Sequence, residues 1–182
     1  MRIKNIFFII FLLITVFQSQ NKAQLSVGLI HEPFKITGDF NTPSISTIGG
    51  SAFVCYQVDS TKSISLRIGF YAKNLDARIF AGTQYSILGE YKFTRKIFSL
   101  FGLSLYENNA TSSMSGRITN KSVMFINAGI GINPIDWFKN EIILLFPVGN
   151  SEVATVKFFY DQISHYHIDY IIKVNFVFIL KL

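Results

Sequence analysis

From His165 to Leu182 the chain alternates without a break. The even positions, Tyr166, Ile168, Tyr170, Ile172, Val174, Phe176, Phe178, Leu180 and Leu182, are all apolar or aromatic. Most odd positions are polar: His165, His167, Asp169, Lys173, Asn175 and Lys181. Side chains alternate faces along a strand, so this pattern predicts one long strand with a wholly apolar face and a face that tolerates charge. A half-buried strand of a soluble protein usually stops after about five or six residues. One this long fits a membrane-spanning barrel strand with an aqueous extension.

Seven earlier segments carry weaker versions of the same signal. The first runs from Gln24 to about Pro33, with Leu25, Val27 and Leu29 on one face and Ser26 and Gly28 on the other. Phe34 to Ser46, with Gly38-Asp39 and Asn41-Thr42-Pro43, reads as a loop. The second strand, about Thr47 to Val58, aligns Ile48, Gly50, Ala52, Val54 and Tyr56. The third, about Ser63 to Lys73, sets Ile64, Leu66, Ile68, Phe70 and Ala72 against Ser63, Ser65, Arg67, Gly69, Tyr71 and Lys73. The fourth, about Thr83 to Phe93, sets Tyr85, Ile87, Gly89, Tyr91 and Phe93 against Gln84, Ser86, Leu88, Glu90 and Lys92. The fifth, Ile97 to Tyr106, is largely apolar on both faces, and Glu107 to Asn120 reads as a loop. The sixth, about Lys121 to Asn133, aligns Met124, Ile126, Ala128, Ile130 and Ile132. The seventh runs from about Phe138 to Val148, and Gly149-Asn150-Ser151 opens the last long connection.

The connections between these eight strands are roughly 13, 4, 9, 3, 14, 4 and 16 residues long, so long and short alternate throughout. That arrangement predicts an up-and-down meander with tight turns at one end and long loops at the other. Outer-membrane barrels have this asymmetry, with short periplasmic turns and longer extracellular loops.

The start of the chain has a different character. A basic pentapeptide, Met1 to Asn5, precedes an uninterrupted apolar run from Ile6 to Phe17 and a polar stretch ending at Ala23-Gln24. This is the layout of a cleavable signal peptide. We expect residues 1–23 to be removed and residues 24–182 to form the barrel domain. The apolar run is shorter than the roughly 20 residues a spanning helix needs. Loss of Arg2, Lys4 and Lys22 lowers the formal charge from +6 to +3, which leaves no nucleic-acid footprint. Cys55 is the only cysteine, so neither an intrachain disulfide nor a cysteine-based metal cluster can form.

The apolar faces contain no Lys, Arg, Asp or Glu, as a lipid-facing surface requires, since a basic residue at mid-bilayer costs about 2–4 kcal/mol. Turned inward, their aromatic residues would overfill an eight-stranded barrel, whose interior only just holds side chains. Gly28, Gly49, Gly69, Gly129 and Gly131 on the other face suit a narrow lumen. Tyr56, Tyr91, Phe93, Trp137 and Phe138 fall near the turn end, and Tyr85, Tyr166 and Tyr170 near the loop end, as interfacial girdles would. The sequence predicts an all-β, eight-stranded antiparallel up-and-down transmembrane β-barrel. In this it resembles the small eight-stranded outer-membrane proteins of the OmpA/OmpX type and the broader outer-membrane β-barrel domain family. The most family-like piece is Phe125-Ile126-Asn127-Ala128-Gly129-Ile130-Gly131-Ile132-Asn133 and the turn and strand after it. Such proteins usually finish on an aromatic residue used in assembly; this chain ends in Leu182.

The resemblance implies location in the bacterial outer membrane, contact with its lipids and lipopolysaccharide, insertion by the barrel-assembly machinery, and an extracellular ligand for the loops. It implies no cofactor. Two other classes fit parts of the pattern: a lipid-modifying enzyme of the deacylase or acyltransferase kind, and a soluble secreted barrel for an apolar ligand. The deacylase His-x-Ser pattern is missing, since His167 is followed by Ile168 and Asp169, and Ser164 and His165 point to opposite faces of a strand. His165, His167 and Asp169 share a face and have metal-ligand chemistry, but a solvated strand end accounts for them equally well. We therefore assign no catalytic, cofactor or metal residue. Cys55 reads as a small inward side chain. By summed residue numbers across each hairpin, Glu141 should face Lys173 and Arg67 should lie near Glu90 inside the barrel. Phe53, Tyr71 and Leu88 should fill the lumen beside them.

Overall fold

The computed structural model describes residues 25–39, 47–73, 80–111, 116–158 and 162–181. The expected signal peptide, the Asn41-Thr42-Pro43 turn and most of the loop after Lys73 lie outside these residues. The described residues form eleven strands: β1 (Leu25–His31), β2 (Phe34–Gly38), β3 (Thr47–Gln57), β4 (Lys62–Lys73), β5 (Ala81–Lys92), β6 (Ile97–Asn108), β7 (Gly116–Asn120), β8 (Ser122–Ile135), β9 (Phe138–Pro147), β10 (Glu152–Phe158) and β11 (Ile163–Lys181).

Eight staves close into an antiparallel barrel in the order β1 with β2, β3, β4, β5, β6, β8, β9 and β11. Closure comes from β1, which pairs with β3 on one side and β11 on the other. Every stave follows its neighbour in sequence, as the alternating connections predicted.

Three expectations need correction. Phe34 to Gly38 is strand, not loop: β2 continues β1 along β11, with Phe34 opposite Lys173 and Ile36 opposite Ile171. Pro33 interrupts the stave because it has no N–H to give. The ladder carries on around it through Glu32 N to Gly49 O and Val174 N to Pro33 O, each 2.9 Å. Second, two expected loops contain strands. β7 and β10 pair with each other, and β10 pairs with the upper part of β11, extending the sheet beyond the barrel. Third, the long alternation of β11 is broken by a bulge between Ile168 and Tyr170. Below it the even residues face outward as expected. Above it Ile168 is fully buried and Tyr166 packs against the core, so Tyr166 does not belong to the outer girdle.

Elsewhere the parity holds. Outward residues stand open on every stave, with Leu29 at 66%, Phe101 at 65% and Ile130 at 63% exposure. Inward neighbours such as Leu88, Phe98, Phe125 and Ile143 are buried. The glycines let the inward wall fit: a Cβ on Gly131 would sit 2.2 Å from the Phe98 ring. Aromatic residues cluster outside at both ends. Phe138 lies 5.8 Å from Trp137 and 5.3 Å from Phe178, and Tyr91 lies 5.4 Å from Phe93, at the turn end. Phe146 and Tyr170, 6.4 Å apart, mark the loop end. With the first stave extended to Gly38, the outward face gains a lysine, Lys35, opposite Ile172.

Candidate functional site

The barrel wall turns its charged side chains inward, and the strand parity that exposes Ile68 necessarily buries Arg67. From β4, Arg67 reaches across the lumen to Glu141 on β9 with two parallel hydrogen bonds, Nη1 to Oε2 at 2.7 Å and Nη2 to Oε1 at 2.9 Å. Asn175 on β11 donates to the same carboxylate at 3.0 Å. Glu32, at the break between β1 and β2, accepts from Lys173 at 2.7 Å, from Ser51 at 2.8 Å and from Gln84. Lys173 also donates to Gln84 Oε1 at 2.7 Å. Nearer the turn end, Lys139 donates to Glu90 at 2.6 Å and lies 4.9 Å from the centre of the Phe98 ring.

All four charges expected inside are there, with different partners. Glu141 faces Asn175 across the ladder rather than Lys173, and Glu90 faces Ser63, four residues from Arg67. The strands between the long loops are shifted relative to the loop centres, partly because β11 carries an extra residue at its bulge. The second reason is geometric. In a narrow barrel a long side chain meets the opposite wall as readily as the adjacent strand, and residue sums cannot see such contacts. Glu32 is not among the expected inward charges because the sequence pattern ends the first strand at about Pro33. Continuing the alternation through it places Glu32, Phe34 and Ile36 on one inward face.

Above this polar layer the lumen is aromatic. The Tyr71 ring centre lies 4.4 Å from that of Phe80 and 4.7 Å from that of Tyr106, and Tyr106 lies 5.1 Å from Phe125. Phe53, Tyr71 and Leu88 are buried here and lower in the lumen. A void of about 10 Å³ among Glu32, Arg67, Ser104, Asn127, Lys173 and Asn175 has room for about one water. At the turn end a recess of about 300 Å³ opens between Cys55, Glu90, Lys92, Arg95 and Lys139. Cys55 is half-buried there against the small cluster of Ile30, Phe53 and Val177, as an inward side chain.

The β7–β10 extension lies over the aromatic layer. Val153 and Ala154 of β10 are buried in the same apolar cluster, Ile118 of β7 packs against it, and Val156 is fully buried as well. Two asparagines tie this cap to the staves: Asn108 Nδ2 donates to Asn120 Oδ1 at 3.0 Å and to the Val153 carbonyl at 3.1 Å, while Asn120 Nδ2 donates to the Ala110 carbonyl at 2.9 Å. Within the cap, the buried carboxylate of Glu152 gathers Lys121 and Thr155, each at 2.5 Å, and His165 at 2.9 Å. These bonds, that from Lys121 foremost, pull the Glu152 carboxyl down to about 2.

His165, His167 and Asp169 do not converge. His165 binds Glu152, the His167 ring lies 3.4 Å from Ser151 Oγ, and Asp169 is the extra residue of the bulge. No group of three metal-ligating side chains forms among the described residues. Ser164 is half-buried on the strand bearing both histidines.

No protein-family model matches the chain, and no curated protein does either. Among solved structures it is similar to the N-terminal β-barrel domain of OprF from Pseudomonas aeruginosa, with 14% identity and a TM-score of 0.51, covering 87% of this chain and 100% of that one. It is also similar to Ail, the attachment invasion locus protein of Yersinia pestis, with 12% identity and a TM-score of 0.47, covering 87% and 97%. The likeness to OprF is one of fold, the small eight-stranded outer-membrane barrel.

Proposed function

We propose that this chain is a bacterial outer-membrane protein whose lumen is closed to diffusion and whose capped end carries a structural or surface-interaction role. The observation that carries the reading is the inversion of the faces: an apolar belt outside, ion pairs and packed aromatics inside. In water such a belt would be an exposed apolar surface far larger than soluble monomers tolerate. In lipid it is what a spanning barrel needs. The tight turns then face the periplasm, and the loops with the β7–β10 cap face outward, where an extracellular ligand would meet them. The chain reaches the membrane through a signal peptide removed after Ala23.

Membrane fractionation with a heat-modifiability gel tests the location: unboiled protein from the outer-membrane fraction should migrate faster than boiled protein. Recovery as a soluble periplasmic or culture-fluid protein would refute it. In planar bilayers the purified chain should give no large steady conductance. Mass spectrometry of the envelope protein should find Gln24 at the amino terminus, whereas an intact Met1 would mean that the apolar run is an anchor.

A further inference from the structure

One polar side chain stands where the proposed membrane would be most apolar. Along the outward face of the first stave, Leu25, Val27 and Leu29 are followed by His31 and, beyond Pro33, by Lys35 and Thr37. Lys35 and Thr37 are beside Tyr170 in the outer girdle, where a lysine stem can reach head groups. His31 has no such outlet. It is six residues from Leu25, which faces Tyr56 at the turn end, and six from Thr37, which faces Tyr170 at the loop end. The ring is therefore at mid-depth of the belt. It is exposed and lies nearly parallel to Phe176, with centroids 6.1 Å apart and planes at 20°. No described residue hydrogen-bonds its ring nitrogens.

Hydrocarbon supplies neither donor nor acceptor at that depth, and an ionisable side chain placed there marks a contact to be sought. The outward residues beside His31 on β3 are Gly50, directly opposite, and the exposed Ala52. Gly50 has no side chain and Ala52 only a methyl, and the Phe70 ring packs beside Gly50, 3.4 Å from where a Cβ would stand. Small residues are what let one wall approach another inside a membrane.

We propose that this face, centred on His31, is the contact surface for a second copy of this chain. The proposal rests on the barrel lying in a bilayer. Two copies inserted in the same sense are related by an axis along the membrane normal, so every residue keeps its depth. A two-fold axis near His31 therefore brings His31 to His31. A neutral imidazole has one N–H donor and one acceptor nitrogen, so two of them complete a hydrogen bond between themselves. An acyl chain offers neither group.

The test is cross-linking of the full chain in outer-membrane vesicles. In a Cys55→Ser background, His31→Cys should give an oxidant-dependent product of twice the chain mass. Leu103→Cys, mid-way along β6 on the opposite wall, should give none. Equal yields from the two variants, no product from His31→Cys, or a product containing a different protein would overturn the proposal. Sedimentation equilibrium of the unaltered chain in detergent supplies a second reading that needs no cysteine. It should self-associate roughly three- to tenfold more tightly than His31→Leu. Equal association would overturn the proposal. A chain that behaves as a membrane barrel but fails both measurements defeats this inference alone, whereas a soluble chain defeats the barrel reading with it.

Discussion

Arg67 and Glu141 hold each other across the lumen with both hydrogen bonds of a fork, and each is almost fully buried. Replacing either alone leaves a charge in the lumen without its partner, a loss of about 3–5 kcal/mol where the site is dry. Urea unfolding in detergent micelles should show that loss for Arg67→Leu and for Glu141→Leu. The double variant should recover much of it, since an apolar pair can replace a buried ion pair at little cost. Additive losses would mean that the two residues do not act as a pair. Glu152 makes a different prediction, in the cap above the barrel, where Lys121, Thr155 and His165 enclose its carboxylate. Its carboxyl titrates near 2 in the folded protein against an ordinary value of 4.5, so its stabilising effect is complete above about 4.5. The effect fades as pH falls from there toward 2, where the carboxyl takes up its proton and Lys121 and Thr155 lose a charged acceptor. Carboxyl NMR should find the low titration, and Glu152→Gln should be less stable than the parent at pH 7 but not near pH 2. A titration midpoint near 4.5 would show that the three contacts do not hold the carboxylate.

At the scale of the strand, the two faces should respond oppositely to charge. Ile68 and Ile87 are about half exposed to the outside, at 55% and 49%. Arg at either should cost about 2–4 kcal/mol if the position lies near mid-bilayer, seen as failed insertion into lipid vesicles. The inward residue Ser65 should accept a Thr or Asn with little change. Similar losses on both faces would contradict the orientation. These staves were legible because a two-residue period with a lipid on one side leaves little freedom. Ile64, Leu66, Ile68 and Phe70 cannot be read another way. Legibility failed where the environment changed along a strand. Ile168 and Ile171 are both fully buried because the bulge between them reverses the parity, and nothing in Ile168-Asp169-Tyr170 marks the extra residue. β10 was hidden for a related reason. A register shift between Glu152 and Ala154 leaves Val153 and Ala154 both buried, so the segment lacks the alternation that would have disclosed it. The polar site was half legible. Parity placed Arg67, Glu90, Glu141 and Lys173 inside, but pairing depends on distances across the lumen that no local pattern encodes.

For the whole molecule, the decisive fact is that a continuous sheet returns to its own first strand. β1 and β11 meet along six residue pairs, from Ser26 with Lys181 to His31 with Phe176. Closure removes both sheet edges, which in a bilayer would leave unpaired backbone groups. It also settles when the charges can be satisfied. Glu32 belongs to the first stave and Lys173 to the last, while Arg67 and Glu141 stand on walls that face each other only once the ring is complete. In an open sheet all four would still need water. Their pairing is therefore an event of the final moment of assembly, and the ion pairs act as a latch that cannot engage early. A chain with Glu32→Leu should form its hairpins and reach the membrane, yet accumulate before the first and last strands join. Pulse-chase with protease should reveal that species as membrane-bound but unshifted on an unboiled gel, and closure at the parent rate would show that the latch has no part in timing.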